Sequence, residues 1–273
     1  MTQTAVVETH GRTGVRHAES IGVASRKIVL GVLGFAIAIA VWWLLALWGV
    51  GNGRIPAPGD VLSATRAMFA NQQLLLDIRV SLTRVLIGVA IGSAIALPVG
   101  YLLAWFRPVR ETFEPLVNFG RAIPPIALIP LAIPIFGIGE SARISILVFA
   151  AFFSAVIVMF EGISSVDPVL VRAARALGAN RWEIFAKVAV PAVVPHVFTA
   201  VRVAIGVSWA TLVAAELIAS EQGLGAVIKD AQNFNRMADV CVGIILIGVC
   251  ALVMDAVLKL AQRQLTRWQE KSG

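Results

Sequence analysis

The chain has 273 residues, of which 58% are hydrophobic and only 14% charged, and its mean hydropathy is +0.85. Soluble domains carry about 25% charged residues, so this composition excludes an ordinary soluble fold. The net charge of +7 would suit nucleic acid only if the cations gathered on one exposed patch. They are spread along the chain, and we therefore expect no nucleic-acid partner.

Apolar runs long enough to cross a bilayer dominate the sequence. A transmembrane helix needs about 20 such residues, and the sequence predicts an all-α polytopic membrane protein with about six of these helices. The predicted spans are 28–50, 80–106, 117–138, 144–160, 191–219 and 240–260. No small-residue cleavage site closes the first run, so we interpret it as an uncleaved anchor.

The distribution of Lys and Arg predicts the orientation, because cytoplasmic segments retain an excess of these residues. Fifteen lie in alternate segments that include both ends of the chain, against six in the other segments. Both termini are therefore expected in the cytoplasm. The predicted divisions are a tail at 1–27, the first span at 28–50, an external loop with an amphipathic helix at 51–79, a membrane core at 80–262 and a tail at 263–273. Asp60 is predicted to cap the helix in the external loop.

The second span carries a ridge of small residues at four-residue steps, formed by Gly88, Gly92, Ala96 and Gly100. Such a ridge lets another helix approach closely. The sequence leaves open whether that helix belongs to the same subunit or to a second one.

The third span is interrupted by Pro124, Pro125, Pro130 and Pro134. Each proline removes a backbone donor and crowds the carbonyl four residues earlier, so this helix is predicted to be bent or broken. Irregular backbone at membrane depth is tolerated where it lines a cavity or is buried in protein. A segment lining a solute path and a kinked structural helix are both compatible with the sequence.

Residues 167–187 have helix punctuation but too many charges for a span. Asp167 is a predicted N-cap, Gly178 stands at a left-handed C-terminal position, and Asn180 with Glu183 forms a capping-box pattern for a second helix. The predicted apolar face of this helical hairpin comprises Ala173, Ala174, Leu177, Trp182 and Phe185, edged by Arg172, Arg175, Arg181 and Lys187. Such a hairpin rests on lipid headgroups or docks into a soluble partner.

The spacing of Arg172-Ala-Ala, Gly178 and Val188-Ala-Val-Pro191 resembles the EAA loop of ABC importer permeases. Arg172 stands where that pattern usually has Glu. The resemblance covers about residues 81–260 and includes 121–131, 206–216 and 223–225, which are similar to the nitrate, sulfonate and taurine branch of the family.

The resemblance implies a type I ABC importer permease fold in a bacterial inner membrane, with a small anionic solute. It implies no catalytic residue, metal or cofactor in this chain. The implied partners are two ATPase subunits, a second permease copy, an external solute-binding protein and membrane lipid. The residues implied to couple the chain to the ATPase are Arg172, Ala173, Ala174, Leu177, Gly178, Trp182, Glu183, Phe185 and Pro191.

Charged residues within spans are costly and mark candidate functional positions. Arg84 lies near the outer end of its span, and we expect its side chain to snorkel. Arg202 is deeper, and either an ion pair with Asp255 or guidance of an anionic solute would account for it. Glu216 faces the pathway or the binding protein, or caps a neighbouring helix. The candidate pathway residues are Pro124, Pro125, Pro130, Arg202, Ser208, Trp209 and Glu216.

Several motifs are missing from the sequence, and this bears on the function. No phosphate-binding G-x-x-x-x-G-K-[ST] occurs, so nucleotide hydrolysis would take place on another chain. Cys241 and Cys250 lie too far apart along one helix to form a disulfide. An ion-gradient-driven secondary transporter is the main alternative, but the two repeated halves usual in that class are not evident.

Overall fold

The computed structural model of the chain describes residues 12–51 and 54–266. The predicted tails therefore lie partly outside the described residues, at 1–11 and 267–273, as does the side chain of Arg181. The described secondary structure is entirely helical. The chain divides into two compact units, residues 1–63 and 64–273.

The first unit contains α1 (Arg12–Leu47) and the start of α2 (Pro58–Ala70). Within α1, Val29–Leu47 is long and apolar enough to cross a membrane. Asp60 caps α2 as predicted, and it does so from a position inside the first turn of this helix. Its carboxylate accepts a hydrogen bond of 3.1 Å from the N–H of Ala57, the residue before the helix. It therefore satisfies a backbone donor at the start of α2.

Among the described residues of the second unit are the end of α2 and nine further helices, with a 3₁₀ turn and a π turn between some of them. They are α3 (Gln73–Trp105), α4 (Arg107–Ala122), a 3₁₀ turn (Pro125–Leu128), α5 (Ile129–Phe136), α6 (Glu140–Ser164), α7 (Pro168–Ala176), α8 (Arg181–Ile184), a π turn (Phe185–Ala189), α9 (Val190–Ala219), α10 (Leu224–Asn233) and α11 (Met237–Leu265). Over both units, five described helical segments are long and apolar enough to cross a membrane, or six if one bent pair is a span. The prediction of about six spans is confirmed.

The core of the second unit lies where α3, α6 and α9 pack together, and Val85, Leu147 and Leu212 are fully buried there. The small-residue ridge of α3 makes this packing possible. A Cβ atom added at Gly92 would lie 2.6 Å from the Cβ of Ala151 on α6. The ridge therefore packs against α6 of the same chain.

The third predicted span, 117–138, consists of two helices joined at a sharp angle, and the bent pair begins earlier than predicted, at Arg107. The axes of α4 and of the segment that ends in α5 differ by 86°. Ile123 and Pro124 are extended, with ψ of 118° and 124°. A residue that precedes proline is driven out of the helical region by the following ring, and both of these residues precede a proline. The predicted break is confirmed.

Candidate coupling loop and solute path

The hairpin at residues 167–187 begins with a helix that is capped at both ends as predicted. The Asp167 carboxylate accepts a 2.7 Å hydrogen bond from the Val169 N–H at the start of α7. At the other end, Gly178 has φ of +84° and its N–H donates to the Arg175 carbonyl over 3.0 Å. This left-handed position favours glycine, because other residues meet a steric cost there.

The second arm of the hairpin is the beginning of α9 rather than a separate helix. Asn180 and Glu183 form the predicted capping box, with reciprocal hydrogen bonds of 3.0 and 2.8 Å between side chain and backbone. From Arg181 the chain stays helical, through the π turn, to Ala219. The prediction of two short helices is therefore corrected to one short helix and an extension of the following span.

Pro191 accounts for the π turn between this arm and α9. Its missing N–H and its ring disfavour an ordinary helical turn back to Lys187. The Val190 N–H instead donates to the carbonyl of Phe185, five residues earlier. Single π turns inside helices are frequent at functional sites, and this one joins the loop to a membrane span.

An aromatic cluster links the same arm to α3. The Phe185 ring centroid lies 4.9 Å from that of Tyr101, 6.1 Å from that of Trp105 and 5.0 Å from that of Trp182. Such contacts add about 0.5–1.5 kcal/mol beyond the area they bury. A displacement of the loop would therefore move α3 as well as α9.

Four large apolar side chains of the hairpin are exposed, whereas Ile184 is buried. Leu177 is 88% exposed and Trp182 72% exposed, and Val169 and Leu170 are about half exposed. Large apolar side chains gathered on an exposed surface indicate an interaction site. Of the predicted apolar face, Phe185 packs inward, whereas Leu177 and Trp182 remain available to a partner.

We call the part of the second unit that carries residues 167–187 the loop end, and the part that carries residues 216–225 the far end. At the far end, Glu216 is fully buried. Its carboxylate accepts hydrogen bonds from the Ser81 hydroxyl (2.8 Å), the Arg84 guanidinium (2.6 Å) and the Gly225 N–H (2.8 Å). Because Gly225 lies in the first turn of α10, Glu216 caps a neighbouring helix, one of the three predicted alternatives.

The prediction that Arg84 snorkels was wrong. Its side chain is only 5% exposed, and besides Glu216 it contacts Glu140 at the start of α6, with Nε 2.8 Å from Oε2. It also donates to the carbonyl oxygen of Gln222 over 2.7 Å. Two carboxylates and a carbonyl make burial more favourable than extension towards water.

Sequence reasoning missed Ser81, Asp77 and Glu140 in this far-end network. Asp77 accepts from the Gly223 N–H and Ser81 from the Leu224 N–H, at 2.8 and 2.9 Å. The available signal was Arg84 itself, since a cation inside a span requires an acidic partner. Glu140 begins α6 and Glu216 lies in the last turn of α9, so these two helix ends meet at Arg84.

Arg202 and Asp255 form the interhelical ion pair that was one of the two interpretations of Arg202. The Nε of Arg202 on α9 lies 2.6 Å from Oδ1 of Asp255 on α11. Lys259 lies 2.6 Å from the second carboxylate oxygen. About a third of each side chain in the Arg202–Asp255 pair is exposed, so this ion pair is only partly buried.

The remaining candidate pathway residues fall into two sets. Ser208 and Trp209 are buried within the chain, and the indole N–H of Trp209 lies 3.3 Å from the sulfur of Met254. Pro124 and Pro130 are exposed beside the break in the third span, with Pro125 between them at the start of the 3₁₀ turn. The pathway role of all of these residues stays a prediction.

Apolar helices of membrane-spanning length and an exposed loop continuous with one of them define a multi-pass membrane protein. Residues 96–271 match the family model described as binding-protein-dependent transport system inner membrane component. The chain belongs to this family and is therefore an ABC importer permease. This membership decides against the alternative of a secondary transporter.

Known relatives agree with this assignment. The chain is 45% identical over 243 residues to a probable ABC transporter permease protein of Brucella abortus (strain 2308), covering 89% of this chain and 96% of that one. It is 33% identical over 250 residues to the taurine transport system permease protein TauC of Escherichia coli (strain K12), covering 89% and 91%. The predicted branch of the family is confirmed.

A solved structure supports the fold. The inward-facing MetNI methionine ABC transporter contains a chain that matches with a TM-score of 0.61 and 22% identity, over 72% of this chain and 95% of that one. The predicted type I importer permease fold is confirmed.

Proposed function

We propose that this chain is the membrane subunit that couples import of a small anionic solute to a separate ATPase subunit. The observation that carries the proposal is the exposure of Leu177 and Trp182 on the hairpin. Trp182 stacks on Phe185, and the arm that carries both residues is continuous with the α9 span. The basic segments flanking the spans favour a cytoplasmic hairpin and cytoplasmic termini. The bacterial inner membrane is the compartment that the family description supports.

The proposed assembly contains two copies of this chain, two ATPase chains and an external solute-binding protein. ATP binding would draw the ATPases together and displace residues 167–187. Because α9 continues from the hairpin without a break, and Phe185 contacts Tyr101 on α3, the displacement would move two spans together. A rigid lever of this kind opens the pathway by reorienting helices.

The proposed solute is a sulfonate, taurine, nitrate or a similar anion. Its support is the relationship to TauC, which is named for taurine transport. Arg202 is the candidate cation for guiding it, since the Arg202–Asp255 pair is partly exposed. The candidate path also includes the exposed proline segment that starts at Pro124.

The test is to coexpress the chain with the ATPase subunit and solute-binding protein that the proposal requires, purify the complex and measure solute uptake into ATP-loaded vesicles. We expect Leu177→Asp to abolish ATPase copurification, because it places a charge in an apolar contact. Phe234→Asp changes an apolar side chain that is 73% exposed and lies at the far end, and it should leave copurification intact. Uptake that needs an ion gradient and no ATP would refute the proposal.

A further inference from the structure

A cavity of about 380 Å³ lies at the loop end, between the end of α3, the beginning of α4, the end of α6 and the first helix of the hairpin. Three arginines line it: Arg110 on α4 and Arg172 and Arg175 on α7. Trp105 and Ser164 complete its polar lining. Of the described residues that line the cavity, none is acidic.

Arg110 is held in position by the ends of two spans. Its Nη2 donates to the Ala104 carbonyl over 2.7 Å, and its Nε donates to the Leu103 carbonyl over 3.2 Å. Its guanidinium carbon lies 5.2 Å from the centroid of the Phe160 ring on α6. The charge is thus fixed at the cavity before any ligand arrives, which lowers the entropy cost of binding.

Arg172 and Arg175 are three residues apart on α7, so they share one face of this helix. Because both line the cavity, the basic face of α7 turns towards the spans, whereas Leu177 projects away from them. Within residues 12–51 and 54–266, the observed ion pairs involve neither of these arginines, nor Arg110.

An anion with several acceptor oxygens fits this arrangement. The planar guanidinium binds phosphate oxygens through paired hydrogen bonds. Trp105 is the last residue of the α3 span, and tryptophan is enriched where spans meet the headgroup region. Basic pockets between spans on the cytoplasmic side bind the headgroups of anionic lipids.

We propose that this cavity binds a phosphate group, that of an anionic phospholipid in the leaflet beside the hairpin. The side on which that leaflet lies rests on the orientation given under the proposed function. The proposal gives Arg172 a function: where the EAA pattern has an acidic residue, this chain has a cation that lines the same cavity as Arg110 and Arg175. A bound lipid would contact both α7 and α4 and so restrict the movement of the hairpin relative to the spans.

The test uses the purified full chain in a neutral detergent, without an ATPase, and counts bound lipids by native mass spectrometry. Phosphatidylglycerol and phosphatidylcholine with the same acyl chains are the probes. Because three arginines and no described acidic residue line the cavity, we expect a roughly tenfold or greater preference for phosphatidylglycerol over phosphatidylcholine. The double variant Arg172→Gln and Arg175→Gln should lose this preference.

The matched control is the double variant Arg107→Gln and Arg263→Gln, which removes two exposed cations outside the cavity. It should bind phosphatidylglycerol as the unchanged chain does, and an equal loss would overturn the proposal. Replacing Arg172 and Arg175 by Lys keeps the charge but not the paired hydrogen bonds, and should give intermediate binding. Undiminished phosphatidylglycerol binding by the double variant Arg172→Gln and Arg175→Gln would also overturn the proposal.

Millimolar inorganic phosphate distinguishes a lipid from a soluble ligand. We expect it to leave phosphatidylglycerol binding nearly unchanged, because the acyl chains contribute affinity that free phosphate lacks. Complete displacement would overturn the lipid assignment in favour of a soluble phosphate site. Since no ATPase is present, failure of the coupling proposal would not alter this result.

Discussion

The Arg84 guanidinium lies 2.6 Å from the carboxylate of Glu216, and this contact joins α3 to the far end of α9 with both side chains buried. The same guanidinium reaches Glu140 on α6, and the same carboxylate receives the Gly225 N–H of α10. Four helices therefore meet at one pair of opposite charges. The pair holds these four helix ends together on the side of the core away from the hairpin, and we call this its fixed-point role.

Glu216→Gln should destabilise the chain strongly, because it leaves the Arg84 cation with one carboxylate, Glu140, which is itself half exposed. Removing one partner of a buried pair typically costs about 3–5 kcal/mol. The measurement is the thermal unfolding midpoint in detergent. Arg107→Gln breaks an exposed pair with Glu111, for which about 0–1 kcal/mol is expected. Similar midpoints for the two variants would contradict the fixed-point role.

Gly92→Ala should destabilise the packing of α3 on α6. The added methyl group would lie 2.8 Å from the Val148 carbonyl oxygen, a backbone atom that cannot turn aside. Overpacking of this kind costs about 1–3 kcal/mol. Gly248→Ala is the matched control, since a Cβ there meets nothing within 4 Å. It should be neutral or slightly stabilising in the same unfolding assay, because alanine favours helix.

The elements of this fold that obey local rules could be predicted from the sequence. The capping of α7 by Asp167, the left-handed Gly178 and the break before Pro124 all follow from the conformational limits of one or two residues. Hydropathy similarly fixes the number of spans. These features depend on residues adjacent in the chain, and these residues can be identified directly from the sequence.

The far-end network could not be predicted in full, because its partners are distant in sequence. Ser81 and Glu216 are 135 positions apart and bond directly. Which faces of α3, α6 and α9 meet depends on packing of the small-residue ridge against α6, and a single sequence leaves that choice open. For the same reason the sequence predicts an Arg84 that extends towards water. The Arg202–Asp255 pair is one of the two interpretations that the sequence offers, because both members lie at similar depth.

Phe185→Ala should weaken the coupling of transport to ATP hydrolysis while leaving the chain folded. The substitution removes the ring that contacts both Tyr101 and Trp182, so the hairpin would move without displacing α3. We expect ATPase copurification to persist and solute uptake per ATP hydrolysed to fall severalfold in reconstituted vesicles. Phe113→Ala, an exposed aromatic position on α4, is the control. A Phe185→Ala complex with undiminished uptake per ATP would exclude the mechanical role.

Arg202→Gln separates the structural role of Arg202 from solute guidance. Asp255 keeps Lys259 as a partner at 2.6 Å, and the pair is partly exposed, so the stability cost should be within about 1 kcal/mol. If Arg202 guides the solute, uptake of a sulfonate should be lost while uptake of a neutral analogue of the same size continues. Equal loss of both would show that the residue only supports the path.

Gly178 offers a test of the backbone conformation of the hairpin. A Cβ at this position meets no atom within 4 Å, yet the residue has φ of +84°. Gly178→Val should therefore strain the turn by about 1 kcal/mol or more, displacing the exposed Leu177 beside it. Gly178→Asn is the control, because asparagine adopts this conformation more readily.

Vesicles with ATPase and binding protein should show coupled uptake that is largely kept in the Asn variant and lost in the Val variant. Gly178→Asp adds a charge to the surface proposed to dock and should also uncouple uptake from hydrolysis. A Gly178→Asp complex that still couples uptake to ATP hydrolysis would show that this turn does not transmit the movement. The coupling surface would then have to lie elsewhere than residues 167–187.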